Sequence, residues 1–239
     1  MHLDIREKLK PDEKLWRYMS LAKFVSLLDQ ASLWLARADT FRDKHEGRFP
    51  DEMRKTIEKA YESFPDDDLS PVEDAADFQD YLVKNTFMSC WHKNLDENFV
   101  MWEIYGQRED AVAVQTSVGA LRDNIDFSGL PGNFLTLDNV AYESYDQVEG
   151  VLRYERCFFL KRPHFSFEEE VRLSLDTYSR YKPTKDTPNG HTLPVKLDEL
   201  IEGVLVHPDS PSWFLDAVKS LTKRYNLEVE VRPGSHGHT

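Results

Sequence analysis

A run of charged residues stands in the segment from Phe167 to Leu173, which holds three glutamates and one arginine. In a β-strand, Glu168, Glu170 and Arg172 would project from the same face, about 6–7 Å apart at each two-residue step. Crowded carboxylates raise each other's pKa, which suits a general acid or base, and they can also stabilise a developing cation. The alternative for this face is a solvated surface with cross-strand ion pairs.

Two further groups have residue types that could do chemistry. Asp43 and Glu46 stand three residues apart in a polar turn, where they could ligate a metal ion or bind a ribose. Asp43 also suits the capping of a turn or helix. In a second segment, Ser89 and Trp91 alternate with Cys90, so that one strand face carries a small hydroxyl beside a large ring. We interpret Cys90 as a buried structural thiol rather than a nucleophile.

Strands and helices of several kinds position these groups. Apolar residues at helical spacing after Ser20, a typical N-cap, predict a helix over 21–28. Strict alternation predicts a strand over 167–175. Because helices and strands alternate irregularly, we expect an α+β fold with a mixed or antiparallel sheet and flanking helices. The other predicted strands are 15–18, 32–36, 87–91, 111–116, 137–144, 151–159, 203–207 and 227–231, and the other predicted helices are 53–64, 78–83, 99–105, 211–224 and one that begins at Ser117.

Length and composition indicate one folded, acidic domain. The chain has 239 residues, 40% of them hydrophobic, with 43 Asp+Glu against 30 Lys+Arg and a formal net charge of −13. This length fits a single domain over 1–239, into which the acidic loop from Pro65 to Pro71 is inserted. The acidic balance argues against nonspecific binding to nucleic acid, because no basic excess neutralises phosphates.

The sequence lacks the motifs of several common classes of enzyme and of small disulfide- or zinc-stabilised proteins. Two cysteines, Cys90 and Cys157, are too few for a disulfide scaffold or a cysteine-based zinc site. There is no glycine-rich phosphate loop, nucleophile elbow or zinc-binding helix motif. Since no apolar run approaches the ~20 residues that span a bilayer, and no signal peptide is evident, we expect a cytoplasmic protein without membrane contact.

The order of several sequence blocks resembles a large bacterial family that is known only as a domain of unknown function. The chain departs from that family at Arg42 and at Lys44-His45, where the family usually has Asn and Pro-Phe, and this leaves the role of the turn open. The matching blocks are Leu15-Trp16-Arg17-Tyr18, Leu33-x-x-Ala36-Arg37-x-x-x-Phe41-x-Asp43-x-x-Glu46, Ser89-Cys90-Trp91, Met101-Trp102-x-x-Tyr105, Leu160-Lys161, Phe167-Glu168-x-Glu170-x-Arg172 and a closing block from Leu197 to Pro208.

A more distant resemblance is to the ADP-ribosyltransferases. Their layout is similar: an arginine in the first strand, a serine-centred middle strand and a Glu-x-Glu strand, in that order. Carried over, it implies that Arg17 binds the phosphate or ribose of NAD and that the strand of Ser89 seats nicotinamide. Glu170 would hold a ribose hydroxyl and stabilise the oxocarbenium ion, with Glu168 assisting. The candidate site thus has Glu170 and Glu168 as catalytic residues and Arg17, Ser89, Arg172, Trp91, Asp43 and Glu46 as residues that bind NAD, with no metal.

The resemblance implies an NAD-dependent ADP-ribosyltransferase-like protein, with NAD as substrate. It further implies a bacterial toxin or phage-defence effector with a protein or nucleic acid as acceptor and an antitoxin or effector-complex partner. Two alternatives stay open. One is a metal-dependent nuclease or phosphohydrolase, in which Asp43, Glu46, Glu168 and Glu170 hold Mg²⁺. The other is a non-catalytic domain that senses a ligand or binds a partner.

Overall fold

The computed structural model describes residues 2–5, 8–63, 74–106, 109–131, 134–150, 152–178 and 187–235. The acidic loop from Pro65 to Pro71 lies outside these residues. The strands are β1 (His2–Ile5), β2 (Lys14–Ser20), β3 (Ser32–Arg37), β4 (Thr86–Lys93), β5 (Ala111–Ser117), β6 (Phe134–Asn139), β7 (Ala141–Tyr142), β8 (Leu160–Lys161), β9 (Glu170–Asp176), β10 (Gly190–Pro194), β11 (Gly203–Val206) and β12 (Val231–Pro233). The helices are α1 (Leu21–Gln30), α2 (Asp51–Ser63), α3 (Ala75–Lys84), α4 (Phe99–Met101), α5 (Val118–Asp123), α6 (Leu197–Leu200) and α7 (Ser212–Arg224).

Ten of the described strands form one sheet, in the order β1-β6-β9-β4-β2-β5-β11-β12, with β3 paired to both β4 and β10. The β1–β6 and β11–β12 pairs are parallel, whereas β4 and β9 are antiparallel along seven residue pairs. Helix α1 begins where the Ser20 side chain accepts a hydrogen bond from the Lys23 amide, and it buries Phe24, Leu27 and Leu28. The predicted α+β fold with a mixed sheet and flanking helices is confirmed.

The sheet forks at one edge of β4. Strand β2 pairs with β4 only at Leu15–Lys93 and Trp16–His92, near the end of β4. Strand β3 pairs with the same edge only at Ala36–Met88 and Arg37–Phe87, near the beginning of β4. Between these two contacts, residues 89–91 of β4 are paired with β9 alone. The fork therefore opens a space between β2, β3 and the middle of β4.

Four predicted strands differ from the structure. The strand expected over 137–144 is interrupted at Val140, and its two parts, in β6 and β7, belong to different sheets. The described part of 151–159 does not form a strand: Tyr154–Phe159 is a 3-10 helix that buries three consecutive residues, among them Cys157 and Phe158. The alternation over 167–175 begins as a strand only at Glu170, because Pro163–Glu168 is also a 3-10 helix and Glu169 has a left-handed backbone with φ of 38°. The strand expected over 227–231 is reduced to Val231–Pro233. Strands β1 and β10 were not predicted.

The difference at 154–159 has a physical cause. A short apolar run such as 157–160 does not distinguish a strand from a buried helical turn, since neither leaves a polar face. No described helix combines the length and the apolar character needed to cross a membrane.

Candidate active site in the fork

A cavity of about 710 Å³ occupies the fork. This volume is in the range of pockets that bind small molecules and cofactors. Its walls come from β2, α1, β3 and β4, together with the beginning of β9 and the π-helical turn Trp102–Gly106 that follows α4. Of the site residues proposed from sequence, the cavity is lined by Arg17, Trp91, Glu168, Glu170 and Arg172.

Arg17 bridges the fork. It follows the last residue of β2 that pairs with β4, and its guanidinium reaches across the gap. Nη1 donates to Ser89 Oγ at 2.9 Å, and Nη2 donates to the carbonyl oxygen of Trp34 at 3.3 Å. The guanidinium also lies over the Trp91 ring, 5.6 Å from its centroid. Arg17 is thereby tied to all three strands of the fork.

No carboxylate of the described residues forms an ion pair with Arg17. Burial accordingly lowers the pKa of its guanidinium. An arginine that is held in place by neutral groups, and whose charge is uncompensated, is suited to bind an anion in planar, bidentate geometry.

Arg172 lies at the centre of the second charged group. Its side chain is fully buried, with no accessible surface. Nε and Nη2 donate to the two oxygens of Glu170 at 2.6 and 3.1 Å, and Nη1 and Nη2 donate to those of Glu46 at 2.7 and 3.0 Å. Nη1 also donates to the Phe158 carbonyl oxygen at 2.7 Å. All five N–H groups thus have protein acceptors, so Arg172 positions two carboxylates and has no donor left over for a ligand.

Lys161 completes this group from β8. Its ammonium donates to Glu168 in a short hydrogen bond and lies 3.4 Å from Glu170 Oε2 and 3.6 Å from Glu46 Oε1. Tyr105, on the π-helical turn, donates its hydroxyl hydrogen to Glu168 Oε1 at 2.7 Å. We call Glu46, Glu168, Glu170, Lys161 and Arg172 the carboxylate cluster.

The two glutamates of the carboxylate cluster that line the cavity have pKa values shifted in opposite directions. Burial opposes ionisation of Glu170, but Arg172 and Lys161 outweigh it and lower the pKa of that carboxyl to about 2. For Glu168 burial prevails over Lys161 and raises the pKa. With all members ionised, the three carboxylates exceed the two cations by one negative charge. A buried excess of negative charge favours a cation that develops beside it.

Two ring nitrogens on neighbouring β4 residues, Trp91 Nε1 and His92 Nε2, are buried without a hydrogen-bond partner among the described residues. His92 Nδ1 lies 2.6 Å from the Glu168 carbonyl oxygen. Cys90, between Ser89 and Trp91, lines the cavity as well, and burial and the nearby Glu170 raise the pKa of its thiol well above the usual value. Such a thiol is a poor nucleophile.

The sequence-proposed residues thus fall into three groups. Arg17, Trp91, Glu168 and Glu170 line the cavity, as does Arg172 with its donors already engaged. Ser89 and Glu46 are buried behind the cavity, where they hold Arg17 and Arg172 respectively. Asp43 lies apart from the cluster: it pairs with Arg162 at 3.2 Å and caps the turn by accepting from the His45 amide. The expectation of a solvated Glu-Glu-Arg face is wrong, because all three side chains are buried.

Sequence reasoning missed Lys161, Tyr105 and His92. The pair Leu160-Lys161 and the pair of Trp102 and Tyr105 stood in matching blocks, but nothing in their spacing connected them to Glu168. The sequence offered little signal for Lys161, because it directly follows the apolar run 157–160 and precedes Arg162, so that it looks like the start of a polar segment.

The arrangement also bears on the metal-dependent alternative. Of its four proposed ligands, Asp43 is engaged with Arg162, and the other three direct oxygens to Arg172 and Lys161. Among the described residues there is no group of three or more His, Cys, Asp or Glu placed to hold a metal ion. The four carboxylates are thus paired with cations of the protein itself.

Comparison with known proteins gives little further information. A scan against protein-family models finds no match, so the resemblance to the uncharacterised bacterial family is not confirmed. No curated protein matches. Among solved structures, DarT of Thermus sp. 2.9 in complex with ADP-ribosylated ssDNA matches with a TM-score of 0.43 and 10% identity over 97% of this chain and 98% of that chain. The complex of the same protein with NAD⁺ gives a TM-score of 0.42 and 10% identity over 95% and 97%. With TM-scores below 0.5, we infer neither a family nor a function from these similarities.

Proposed function

We propose that this chain is an ADP-ribosyltransferase-like enzyme that binds NAD⁺ in the fork and cleaves the bond between nicotinamide and ribose. The observation that carries the proposal is the presence, in one cavity, of an arginine that has no acidic partner among the described residues and of a buried carboxylate cluster with excess negative charge. A dinucleotide that carries a pyrophosphate and develops a cation on its ribose is complementary to both.

Arg17 is suited to the pyrophosphate. Two of its N–H groups are fixed by Ser89 and Trp34, which orients the guanidinium before a ligand arrives. Lys23, from α1, also lines the cavity and supplies a second positive charge. A preoriented guanidinium fork binds phosphate oxygens strongly, because little rotational freedom is lost on binding.

Glu170 is suited to the ribose. When the bond from C1′ to the nicotinamide nitrogen breaks, both electrons go to the nitrogen, and neutral nicotinamide leaves. The positive charge is then shared between C1′ and the ring oxygen. Glu170 stays ionised because Arg172 and Lys161 lower its pKa, so it can stabilise this cation throughout. An acceptor then donates an electron pair to C1′ and loses its proton. Charge placed in advance where it develops is the main source of such rate enhancement.

The first experiment is nicotinamide release from NAD⁺, with Glu170→Gln as the test variant. We expect the rate to fall about 100- to 1,000-fold, as when one preorganised electrostatic contact is removed. Glu228→Gln, at an exposed position, is the matched control. An unchanged rate in Glu170→Gln would contradict the assigned role of this carboxylate. Absence of both NAD⁺ binding and turnover in the wild type would contradict the proposal as a whole.

Arg17→Lys tests the proposed binding of the pyrophosphate by Arg17. A lysine keeps the charge but cannot bridge Ser89 and Trp34 while it contacts a phosphate, so we expect the Kd for NAD⁺ to rise about tenfold or more. Arg224→Lys, on the exposed end of α7, is the control. Calorimetric titration of the three proteins with NAD⁺ measures the difference.

A role as a toxin or phage-defence effector with a macromolecular acceptor and an antitoxin is a finer proposal, and it derives from the sequence resemblance. It is tested by induced expression in bacteria. We expect the wild type to arrest growth and Glu170→Gln, at equal abundance, to permit it. Equal growth of both strains would leave the proposed NAD⁺ chemistry standing but remove the toxin role.

A further inference from the structure

His92 faces the same part of the cavity as Glu170. The two residues are directly paired across β4 and β9, so their side chains leave the sheet on one face with Cβ atoms about 4.5–5.5 Å apart. Both line the cavity, and the imidazole has only 2% of its surface exposed. A ligand group held by Glu170 is therefore within reach of the His92 ring.

The hydrogen bond of Nδ1 determines the tautomer of His92. Nδ1 lies 2.6 Å from the Glu168 carbonyl oxygen, which can only accept, so Nδ1 carries the hydrogen. Burial lowers the pKa of His92, against the opposing effects of the Glu168 carbonyl and Glu169, so the ring is neutral at neutral pH. Nε2 is left with a lone pair and acts as an acceptor.

Nε2 has no donor among the described residues. The Tyr18 ring lies 6.3 Å from the His92 ring between centroids, and its hydroxyl accepts from the Asn98 amide but forms no hydrogen bond with Nε2. Buried polar atoms without a partner are rare, and each calls for a specific explanation. An acceptor that lines a ligand cavity and lacks a donor is explained if the ligand supplies the donor.

We propose that His92 Nε2 accepts a hydrogen bond from one hydroxyl of the nicotinamide ribose, while Glu170 accepts from the neighbouring hydroxyl. The proposal rests on the function proposed above and deepens it. Glu170 keeps acceptor capacity for this, because a carboxylate has about four lone-pair positions, of which Arg172 uses two and Lys161, 3.4 Å from Oε2, uses a third. Two acceptors side by side match a vicinal diol, and they distinguish a ribose from a deoxyribose at this position.

Two substitutions separate the two nitrogens of His92. Asparagine places an amide near Nδ1, so His92→Asn keeps the donor to the Glu168 carbonyl and loses the acceptor at the ε position. Glutamine places its amide near Nε2, so His92→Gln keeps the acceptor and loses the Nδ1 donor. We expect His92→Asn to keep the wild-type Tm and to raise the Kd for carba-NAD⁺, which retains both hydroxyls, about tenfold. We expect His92→Gln to lower the Tm and to keep the Kd within about threefold.

The opposite pattern, with wild-type affinity in His92→Asn, would overturn the proposal and leave His92 with a structural role. A ligand-side arm uses NAD⁺ analogues that lack the 2′- or the 3′-hydroxyl of the nicotinamide ribose. For one of these analogues, we expect the Kd for the wild type to be about tenfold higher than the Kd for NAD⁺. For His92→Asn, we expect the Kd of the same analogue to equal the Kd of NAD⁺. A wild type that binds no NAD⁺ would overturn the proposed function and this inference together, which distinguishes that failure from the failure of His92 alone.

The ¹⁵N spectrum of the imidazole gives a readout that does not depend on affinity. We expect an unprotonated Nε2 in the free protein and a change of its chemical shift when carba-NAD⁺ binds. A protonated Nε2 in the free protein would contradict the assigned tautomer and, with it, the proposal.

Discussion

Arg172 holds two acidic side chains that have no other bidentate partner in the described structure. Its substitution by methionine fills a similar volume but leaves Glu46 and Glu170 buried beside one cation, Lys161. We expect Arg172→Met to lower the free energy of unfolding by about 3–5 kcal/mol, the cost of an uncompensated buried charge. Urea denaturation measures this, with the exposed Arg224→Met as a control that changes little. A loss below about 1 kcal/mol would mean that the cluster is solvated.

The lowered pKa of Glu170 predicts how the free energy of unfolding changes at acidic pH. Its pKa is about 2 in the folded protein, below the ordinary value of 4.5, so its ionised form stabilises the native state. That stabilisation is present above about pH 4.5 and is lost as the pH falls toward 2. We expect the wild type to lose more unfolding free energy across this window than Glu170→Gln does. Denaturation curves at a series of pH values give the two slopes, and parallel slopes would contradict the lowered pKa.

At the scale of elements, the turn before α2 places Glu46 against Arg172. Gly47 follows it with φ of +70°, and a Cβ added there would lie 2.2 Å from Cε1 of the buried Phe158. Gly150 has a similar φ of +76°, but a Cβ added there would meet no described atom within 4 Å, so it is a matched control. We expect Gly150→Ala to cost about 1 kcal/mol for backbone strain alone. Gly47→Ala should cost clearly more, by about 1–3 kcal/mol, because Phe158 must move. Equal losses of unfolding free energy would show that the turn yields freely.

Elements with strong periodicity were predictable from the sequence, whereas those set by tertiary context were not. Helix α1 has a cap and a regular apolar face, and its bounds agree with the prediction to within two residues. The segment before β9 alternates like a strand, yet Glu168 is drawn into a 3-10 turn by buried contacts with Lys161 and Tyr105. These partners lie 7 and 63 positions away in sequence. Their approach depends on the sheet order, which local patterns do not encode.

The candidate site was predictable in part for the same reason. Residue types with an evident chemical purpose, such as Arg17 and Glu170, stood out in short blocks. Residues that complete the site through burial, such as Lys161 and His92, lay just beyond the ends of the predicted strands 151–159 and 87–91 and had no partner at a fixed spacing. Asp43 was proposed on spacing from Glu46, but the turn directs these two side chains to different arginines.

At the scale of the whole molecule, the net charge of −13 limits how a nucleic acid could bind. Nonspecific affinity comes from lysine and arginine that displace counterions, and this chain has no excess of them. At about 150 mM salt, we expect random duplex or single-stranded oligonucleotides to bind more weakly than the nonspecific Kd of about 10⁻⁴ to 10⁻⁶ M that is typical of nucleic-acid-binding proteins. Fluorescence anisotropy at two salt concentrations tests this. Tight binding that weakens steeply with salt would reveal a local basic surface that the overall charge conceals.

The fork joins two branches of the sheet to one edge of β4. Strands β2 and β3 attach to opposite ends of the same edge of β4, while β9 holds the other edge of β4 along seven residue pairs. Arg17 connects the two sides of the opening, since its side chain leaves β2 and contacts Ser89 on β4 and Trp34 on β3. An anion that binds this guanidinium would therefore be coupled, through one side chain, to all three strands that meet at the fork.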